Sequence, residues 1–266
     1  MTNETTKFAE QLETRRYNPE YTPPEDYRVL TIRNKLVGSL QGYVVFSGLP
    51  KAGKSTFMAA TIASALHPSD MFNIKINFPE NRKRLCYIDT ESSDYDFYRQ
   101  MERIKTLTTF SKIPGNLDAF SVREDNHIVI QEYIKIYLEK TPECSVLIVD
   151  GLLDLCLNFN DEVESRKLVQ WLKYITKVYN ILIITVLHLG KKEGATLGHL
   201  GSATDRYAVS TLEVVKDKEQ QTFTLQSRFM RSDADFEPVS IKNFDGVFHE
   251  VPYEMTLQQN FKNGKK

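Results

Sequence analysis

The stretch that decides the fold reads Tyr43-Val44-Val45-Phe46-Ser47-Gly48-Leu49-Pro50-Lys51-Ala52-Gly53-Lys54-Ser55-Thr56. Its first residues form an apolar run that is typical of a buried strand. The residues after it, from Thr56 to Leu66, are Ala-rich and contain no Gly or Pro, which is typical of a helix. Between the two, Gly48, Gly53, Lys54 and Ser55 have the spacing of a phosphate-binding loop. The stretch therefore predicts a strand, a loop and a helix arranged around a phosphate.

The residue types in this loop each suit one part of that chemistry. Gly48 and Gly53 allow the backbone to curl, so that N–H groups and the positive end of the helix point at the phosphates. We expect Lys54 to reach the β- and γ-phosphates, Ser55 to place its hydroxyl on Mg²⁺, and Thr56 to donate a further hydrogen bond. The predicted nucleotide-binding residues are Gly48, Leu49, Pro50, Lys51, Ala52, Gly53, Lys54, Ser55 and Thr56. A glycine turn that matches by chance is the alternative, and it does not explain the flanking strand and helix.

The composition restricts the kinds of partner. The 266 residues include 34 Lys and Arg against 35 Asp and Glu, for a net charge of −1. No overall charge attracts the chain to nucleic acid or to an anionic membrane, so any such contact needs a local patch. Residues 1–10 are polar, and no run approaches the roughly 18 apolar residues of a spanning helix. We therefore expect a cytoplasmic protein without a membrane anchor, and the spacing of its three cysteines predicts ordinary core thiols.

Three more apolar runs end in side chains that suit catalysis. Residues 85–88 lead into Asp89 and Glu91, residues 145–149 lead into Asp150, and residues 181–187 lead into His188. Continuous apolar strands that alternate with amphipathic helices predict a doubly wound α/β fold, with a mostly parallel sheet and helices on both faces. Because ligands bind at the carboxyl ends of such strands, Asp150 is the predicted partner of Ser55 in holding Mg²⁺.

The rest of the chain predicts one domain with two extensions. Residues 1–28 are a polar arm, which is either a disordered tail or a segment that packs on a neighbouring subunit. Residues 29–253 are the domain, and residues 254–266 are a C-terminal tail, of which residues 260–266 are expected to be frayed. The run 190–202 holds four glycines and predicts a mobile loop. Beyond it, alternating apolar residues predict antiparallel strands appended to the parallel core, at residues 209–215, 222–226, 239–241 and 247–248.

With the loop and these strand ends together, the chain resembles the RecA-like branch of P-loop ATPases. Within that branch it is similar to the RepA-type hexameric replicative helicases and their relatives, the DnaB and KaiC groups. The resemblance covers about residues 30 to 245. It implies a RecA-like fold, ATP and Mg²⁺ as ligands, and a homo-oligomeric ring, with a hexamer expected. The segment 198–203 resembles the family's Arg-Gly-Ser-Ser run, but Leu200 stands where an arginine is usual.

The resemblance also implies roles for individual residues. Glu91 occupies the position of the glutamate that polarises the attacking water, and His188 matches a residue that senses the γ-phosphate. The residues themselves favour Glu91 over Asp89, which stays the alternative base, because Asp89 is two residues earlier and deeper in the sheet. A lone histidine at a strand end is also compatible with a purely structural role. In ring ATPases a neighbouring subunit supplies an arginine, for which the candidates are Arg206, Arg228 and Arg231.

These observations lead to competing functions. The first is a ring-forming motor on single-stranded DNA, in replication or mobilisation of a mobile element, with Lys191 and Lys192 contacting DNA phosphates. The second is a regulatory or scaffold ATPase that switches protein contacts without translocation, which the near-zero charge and Leu200 favour. A small-molecule kinase is disfavoured, because the sequence has no arginine-rich lid and Glu91 suits water activation.

Overall fold

The structure, a computed structural model, describes residues 3–190 and 198–253. Its helices are α1 (Asn3–Glu13), α2 (Lys54–Leu66), α3 (Asp94–Thr108), α4 (His127–Lys140), α5 (Glu162–Val178) and α6 (Gly198–Tyr207). Its strands are β1 (Arg28–Ile32), β2 (Lys35–Ser39), β3 (Tyr43–Gly48), β4 (Ile74–Ile76), β5 (Arg84–Asp89), β6 (Leu117–Ser121), β7 (Cys144–Asp150), β8 (Leu182–His188), β9 (Ser210–Asp217), β10 (Thr222–Met230), β11 (Val239–Phe244) and β12 (Val247–Val251). The predicted mixed α/β class is confirmed.

A large, mostly parallel sheet forms the centre of the molecule. In the described part of the chain it has nine strands in the order β12-β11-β10-β9-β3-β8-β7-β5-β6. The six strands from β9 to β6 are parallel to one another, and β10, β11 and β12 continue the sheet in antiparallel pairing. The central strands are continuous apolar runs because both faces of the sheet are covered. The predicted parallel core with antiparallel C-terminal strands is therefore present.

Helices cover both faces of this sheet, as predicted. On one face, α2 and α3 pack on the sheet together with a small antiparallel sheet of order β2-β1-β4. On the other face, α4, α5 and α6 bury a second apolar cluster that includes Ile134, Leu172 and Leu200. Helices α3, α4 and α5 each contribute one apolar stripe to the core, since only that side can leave water, whereas α2 is buried on nearly all sides. The two layers hold the central strands rigidly, so their ends keep a fixed geometry.

The prediction for β9 was partly wrong. Residues 209–215 were expected to be an appended antiparallel strand, but β9 pairs in parallel with β3, with Val44 opposite Ser210 and Ser47 opposite Glu213. Only its other edge, which contacts β10, is antiparallel. Its alternating pattern misled the prediction because the polar members, Ser210 and Thr211, are themselves buried. The strand that lies beside the loop strand thus comes from the C-terminal part of the chain.

The prediction of a mobile loop over residues 190–202 was wrong for its last part, because α6 begins at Gly198. Glycine disfavours helix by about 1 kcal/mol, but tertiary packing outweighs such preferences. Here Leu200 is fully buried, and its N–H donates to the Phe159 carbonyl, 3.1 Å away. Residues 191–197, which include Lys191 and Lys192, lie outside the described residues.

The N-terminal arm contains α1 and then an extended segment. Its side chains from residue 5 to residue 28 are exposed, including Phe8, Leu12 and Tyr17. Tyr27 ties the end of the arm to the domain through a hydroxyl that donates to the Phe78 carbonyl over 2.8 Å. None of the helices within residues 3–190 and 198–253 combines the length and the apolar character that crossing a membrane requires. The tail predicted at residues 254–266 lies outside the described residues.

Candidate active site

Four neighbouring strands bring the predicted site residues to one edge of the sheet. β3, β8, β7 and β5 lie side by side and end in Gly48, His188, Asp150 and Asp89. Gly48 is opposite His188 in the register of β3 and β8, and Asp89 is opposite Asp150 in that of β5 and β7. The sequence placed each of these residues at a strand end, and parallel pairing assembles them into one cleft.

The loop after β3 leads into the start of α2. Gly53 precedes the helix with a φ of 98°, a left-handed conformation that favours glycine. A Cβ atom at Gly53 would lie 2.3 Å from the ring of Phe223, so the close packing of β10 also requires a glycine. Gly53 has no side chain to cap the helix, and among the described residues the N–H groups of Lys54 and Ser55 have no acceptor. Unpaired N–H groups at the start of a helix are typical of an anion-binding site.

Lys54 is buried at the start of α2, with 6% of its surface exposed. Its ammonium donates to the carbonyls of Gly48 and Leu49, at 3.0 and 2.9 Å, and its Nζ lies 3.1 Å from Nδ1 of His188. Burial lowers the pKa of Lys54, an effect that the charges of Glu91 and Asp150 oppose. No carboxylate of the described residues forms an ion pair with it. A buried cation that contacts only neutral groups is suited to an anionic ligand.

His188 links Lys54 to Glu91. Its Nε2 lies 3.4 Å from Oε2 of Glu91, while Nδ1 faces Lys54. The hydrogen bond with His188 is the largest cause of the lowered pKa of Glu91, so this carboxyl group is ionised near neutral pH. Glu91 is exposed at the mouth of the cleft, where a water molecule can reach it. Lys54, His188 and Glu91 thus form one connected row.

Asp89 is occupied by structural contacts. Its carboxylate accepts hydrogen bonds from the Tyr87 hydroxyl over 3.0 Å and from the N–H groups of Glu91 and Ser92 over 3.1 and 2.8 Å. The side chain is almost fully buried. Those contacts fix the turn that presents Glu91. The geometry is in line with the choice of Glu91 over Asp89 as the base.

Asp150 lies at the floor of the same cleft. Burial, followed by the nearby negative charges of Asp89 and Glu91, raises the pKa of Asp150 to about 7. Asp150 and Ser55 line one cavity of about 430 Å³. Within the described ranges, no group of three or more His, Cys, Asp or Glu could hold a metal ion. The Asp150 carboxylate and the Ser55 hydroxyl are oxygen groups of the kind that Mg²⁺ uses, typically one or two from the protein together with ligand phosphates and waters.

One wall of this cavity, formed by α3 and the segment after β6, was not predicted from the sequence. Arg99, Gln100 and Arg103 of α3, with Arg123 from the segment after β6, line it together with Ser55 and Asp150. Gln100 is buried, and its Nε2 donates to the Ser55 carbonyl over 2.7 Å. The spacing of Arg99 and Arg103 puts them on one helix face and was a usable signal. What the sequence does not reveal is that this face points at the loop helix.

The structure does not bring the candidate arginines from the C-terminal part to this site. Arg206 lies in the last turn of α6, in a groove of about 530 Å³ between α5 and α6. Arg228 has its Nη2 3.9 Å from Oδ2 of Asp205, and Arg231 donates its N–H to the Val209 carbonyl just before β9. All three lie towards the amino end of β9, away from the loop. A role at a neighbour's site stays a prediction.

No known family model matches the chain, and no curated protein is similar to it in sequence.

Proposed function

We propose that this protein is a Mg²⁺-dependent ATP hydrolase of the RecA-like class that forms a ring, expected to be a hexamer, and acts as a motor on single-stranded DNA. The observation that carries the proposal is the row of Lys54, His188 and Glu91 at the end of the loop strand, beside Asp150. A mostly parallel sheet with helices on both faces supports the RecA-like assignment. The roles proposed for Lys54 and Glu91 follow from the positive charge of the first and the negative charge of the second.

The loop would hold the phosphates of ATP. The free N–H groups at the start of α2 and the buried ammonium of Lys54 supply positive charge where the β- and γ-phosphates would bind. Lys54 now donates to two loop carbonyls, contacts that an arriving phosphate can replace. Mg²⁺, which Ser55 and Asp150 would hold, neutralises phosphate charge when it is bound. Phosphate binding and metal binding thus use different residues of one cleft.

Glu91 is the group that would orient the attacking water. Its carboxylate is exposed, ionised and not engaged by backbone donors, in contrast to Asp89. His188 contacts both Glu91 and Lys54. When a phosphate binds the Lys54 ammonium, the contact between Lys54 and His188 would change, and His188 would transmit that change to Glu91. The positive charge expected from a neighbouring subunit would come from Arg206, Arg228 or Arg231. Their position away from the chain's own loop is compatible with action on the next subunit.

The described residues offer one surface for DNA in addition to Lys191 and Lys192. The groove between α5 and α6 is lined by Arg166, Lys173 and Arg206, and the Lys173 ammonium lies 5.0 Å from the centre of the Tyr207 ring. Cations beside an exposed aromatic ring suit single-stranded nucleic acid, whose phosphates and bases they contact. This groove supports the motor assignment independently of the two lysines.

The burial of Leu200 favours a second candidate, a regulatory or scaffold ATPase. Leu200 is fully buried in the apolar cluster under α6, so its position cannot present a charged group to a ligand. An ATPase that only switches protein contacts needs no such group. In this case nucleotide binding would change the particle's partners, and DNA would not affect turnover.

Two substitutions test hydrolysis. Lys54→Ala removes the buried cation, and we expect it to abolish ATP binding in equilibrium titrations. Glu91→Gln keeps the size of the side chain, and we expect it to bind ATP while turnover falls by a factor of about 100 or more. Glu132→Gln, an exposed residue of α4 that pairs with Lys135, is the matched control and retains full turnover. A fully active Glu91→Gln protein would refute the assignment of the base.

A second experiment separates the motor from the switch. The mass of the particle in solution is measured with and without ATP and single-stranded DNA, together with the rate of hydrolysis. The motor predicts a nucleotide-dependent ring and DNA-stimulated turnover that falls in a Lys191→Ala/Lys192→Ala or an Arg166→Ala/Lys173→Ala protein. Turnover that DNA leaves unchanged in the parent and in both double variants contradicts the motor and supports the switch.

A further inference from the structure

The cavity beside Ser55 has a cationic wall that ATP hydrolysis as proposed does not use. Arg99 and Arg103 of α3 and Arg123 line it together with Ser55 and Asp150, whereas Lys54 is not among its lining residues. The loop strand β3 and β5 are separated by β8 and β7. At roughly 4.8 Å per strand, this separation is about 14 Å. The three arginines belong to segments that follow β5 and β6, and Lys54 belongs to the loop and helix that follow β3.

These three arginines have no carboxylate partner within the described ranges. Other arginines do, such as Arg33 with Glu250 at 2.6 Å and Arg84 with Asp118 at 2.9 Å. The one hydrogen bond that the Arg103 side chain forms there is donated to Oε1 of Gln100 over 2.7 Å. Burial and the positive charge of Arg99 both lower the pKa of Arg103. Arg103 is partly buried and Arg99 is exposed. Like charges one helical turn apart repel each other, and neither arginine forms an ion pair within the described ranges that would offset this repulsion.

Gln100 connects this wall to the loop helix. The side-chain amide is buried, donates to the Ser55 carbonyl over 2.7 Å and accepts from Arg103. The position of Arg103 is thus fixed relative to Ser55 by a buried hydrogen-bonded link. Such preorganisation is expected of a binding group and not of a solvated surface arginine, which needs no partner.

We propose that Arg99, Arg103 and Arg123 bind the phosphate group of a small second ligand next to the nucleotide site. A guanidinium group offers planar, paired donors that match phosphate oxygens, and three of them can enclose one group. The cavity of about 430 Å³ has the size of a small-molecule pocket. Its other lining residues include Asp96, Glu91 and Asp150, whose negative charges disfavour a long polyanion and leave room for one phosphate at the arginine end.

The inference goes beyond the proposed function and is tested without ATP. The full chain is titrated with inorganic phosphate in a calorimeter, at constant ionic strength set with chloride. We expect saturable binding of one phosphate, and equal affinity in Lys54→Ala, whose loop no longer carries its cation. Arg103→Gln and Arg123→Gln should each weaken binding by about tenfold or more, as expected for loss of a charge-assisted hydrogen bond. Arg123 is exposed in a loop, so its replacement keeps the fold.

The control is Arg16→Gln, which removes the same charge from an exposed arginine of the arm that pairs with Glu13, and it should bind phosphate as the parent does. Absence of saturable binding, or its loss in Lys54→Ala, would overturn the inference. An oligothymidylate that displaces phosphate with the same arginine dependence would assign the wall to nucleic acid and refute the small ligand. ATP titration of Lys54→Ala tests the nucleotide site separately, so the two failures are distinguishable.

Discussion

Arg82 and Arg103 lie at opposite ends of the same parallel sheet. Both are partly exposed, and burial lowers the pKa of each. Arg82 precedes β5, near the amino ends of the central strands, and its guanidinium donates to four backbone carbonyls, those of Pro142, Cys144, Tyr179 and Asn180. Arg103, beyond the carboxyl ends, donates to Gln100 alone among the described residues.

The difference shows how the two edges of the sheet are used. At the amino edge the Arg82 guanidinium donates to carbonyls of two chain segments, residues 142–144 and 179–180. It therefore joins those segments to its own and leaves no guanidinium nitrogen free for a ligand. At the carboxyl edge neither Lys54 nor Arg103 forms an ion pair with a carboxylate of the described residues, and Arg103 lines the cavity beside Ser55. The same residue type with the same direction of pKa shift is therefore structural at one edge and available for binding at the other.

Stability should separate the two arginines most strongly. Arg82→Ala leaves four carbonyl acceptors without their donor, and we expect it to lower the free energy of unfolding by about 3 kcal/mol. Arg103→Ala removes a charge that Arg99 opposes, and we expect a change below about 1 kcal/mol. Urea unfolding of both variants, followed by circular dichroism, measures the two values. Equal decreases in the free energy of unfolding would show that Arg103 stabilises the fold as much as Arg82 does, and the two edges of the sheet would then not differ in this respect.

A glycine at the carboxyl edge tests how tightly the cleft is built. Gly151 follows Asp150 with a φ of 125°, and a Cβ atom there would lie 2.0 Å from Oγ1 of Thr90. We expect Gly151→Ala to lower the free energy of unfolding by about 2 kcal/mol, because it combines backbone strain with a steric clash. Gly115→Ala is the matched control, since nothing lies within 4 Å of its Cβ position. A Gly151→Ala protein as stable as that control would mean that the cleft can rearrange.

The carboxyl edge should also give stability a distinctive pH dependence. Folding raises the pKa of Asp150 from 3.8 to about 7. Between these values the folded protein holds a proton that the unfolded chain releases, so the free energy of unfolding falls as the pH rises. Asp150→Asn removes this titration, and we expect it to reduce the fall between about pH 4 and pH 7 by about 4 kcal/mol.

Urea unfolding across this pH range, in a chelator to exclude metal, measures the effect. Asp245→Asn, which changes an exposed aspartate in the turn between β11 and β12, should leave the fall as it is in the parent. If Asp150→Asn and the parent lose stability equally with rising pH, another group causes the dependence. In that case, burying Asp150 at the carboxyl edge would destabilise the folded protein less than its raised pKa implies.

The predictable part of the site consists of residues whose neighbours in sequence show where they lie. Glu91, Asp150 and His188 each follow an apolar strand, so parallel pairing had to bring them to one edge. The arginine wall was not predictable in this way. Arg99 and Arg103 are on a helix whose orientation depends on how α3 packs against α2, and Arg123 is in a loop. These three arginines lie near Ser55 because segments that are far apart in the chain pack against each other.

Local composition was least informative where packing reverses a local preference. Gly198 and Gly201 argue against a helix, yet the burial of Leu200 and the contact with Phe159 stabilise one. The alternating polar residues of β9 predicted an appended antiparallel strand, yet β9 pairs in parallel with β3, and its Ser210 and Thr211 are buried. In both cases the burial that decides the structure comes from segments far away in sequence.

The sequence by itself determined the phosphate loop, the alternation of core strands and helices from β3 to β8, and the acidic and histidine strand ends, because hydrophobic period and glycine spacing are local properties. Only the tertiary structure decided that β9 joins the parallel core, that Asp89 is held by Tyr87 and two backbone N–H groups while Glu91 contacts His188, and that three arginines line the cavity beside Ser55. Those features depend on the distances between side chains from separate elements, which follow from packing. The loop from Gly48 to Ser55 could be predicted from the sequence, and the cavity beside it could not.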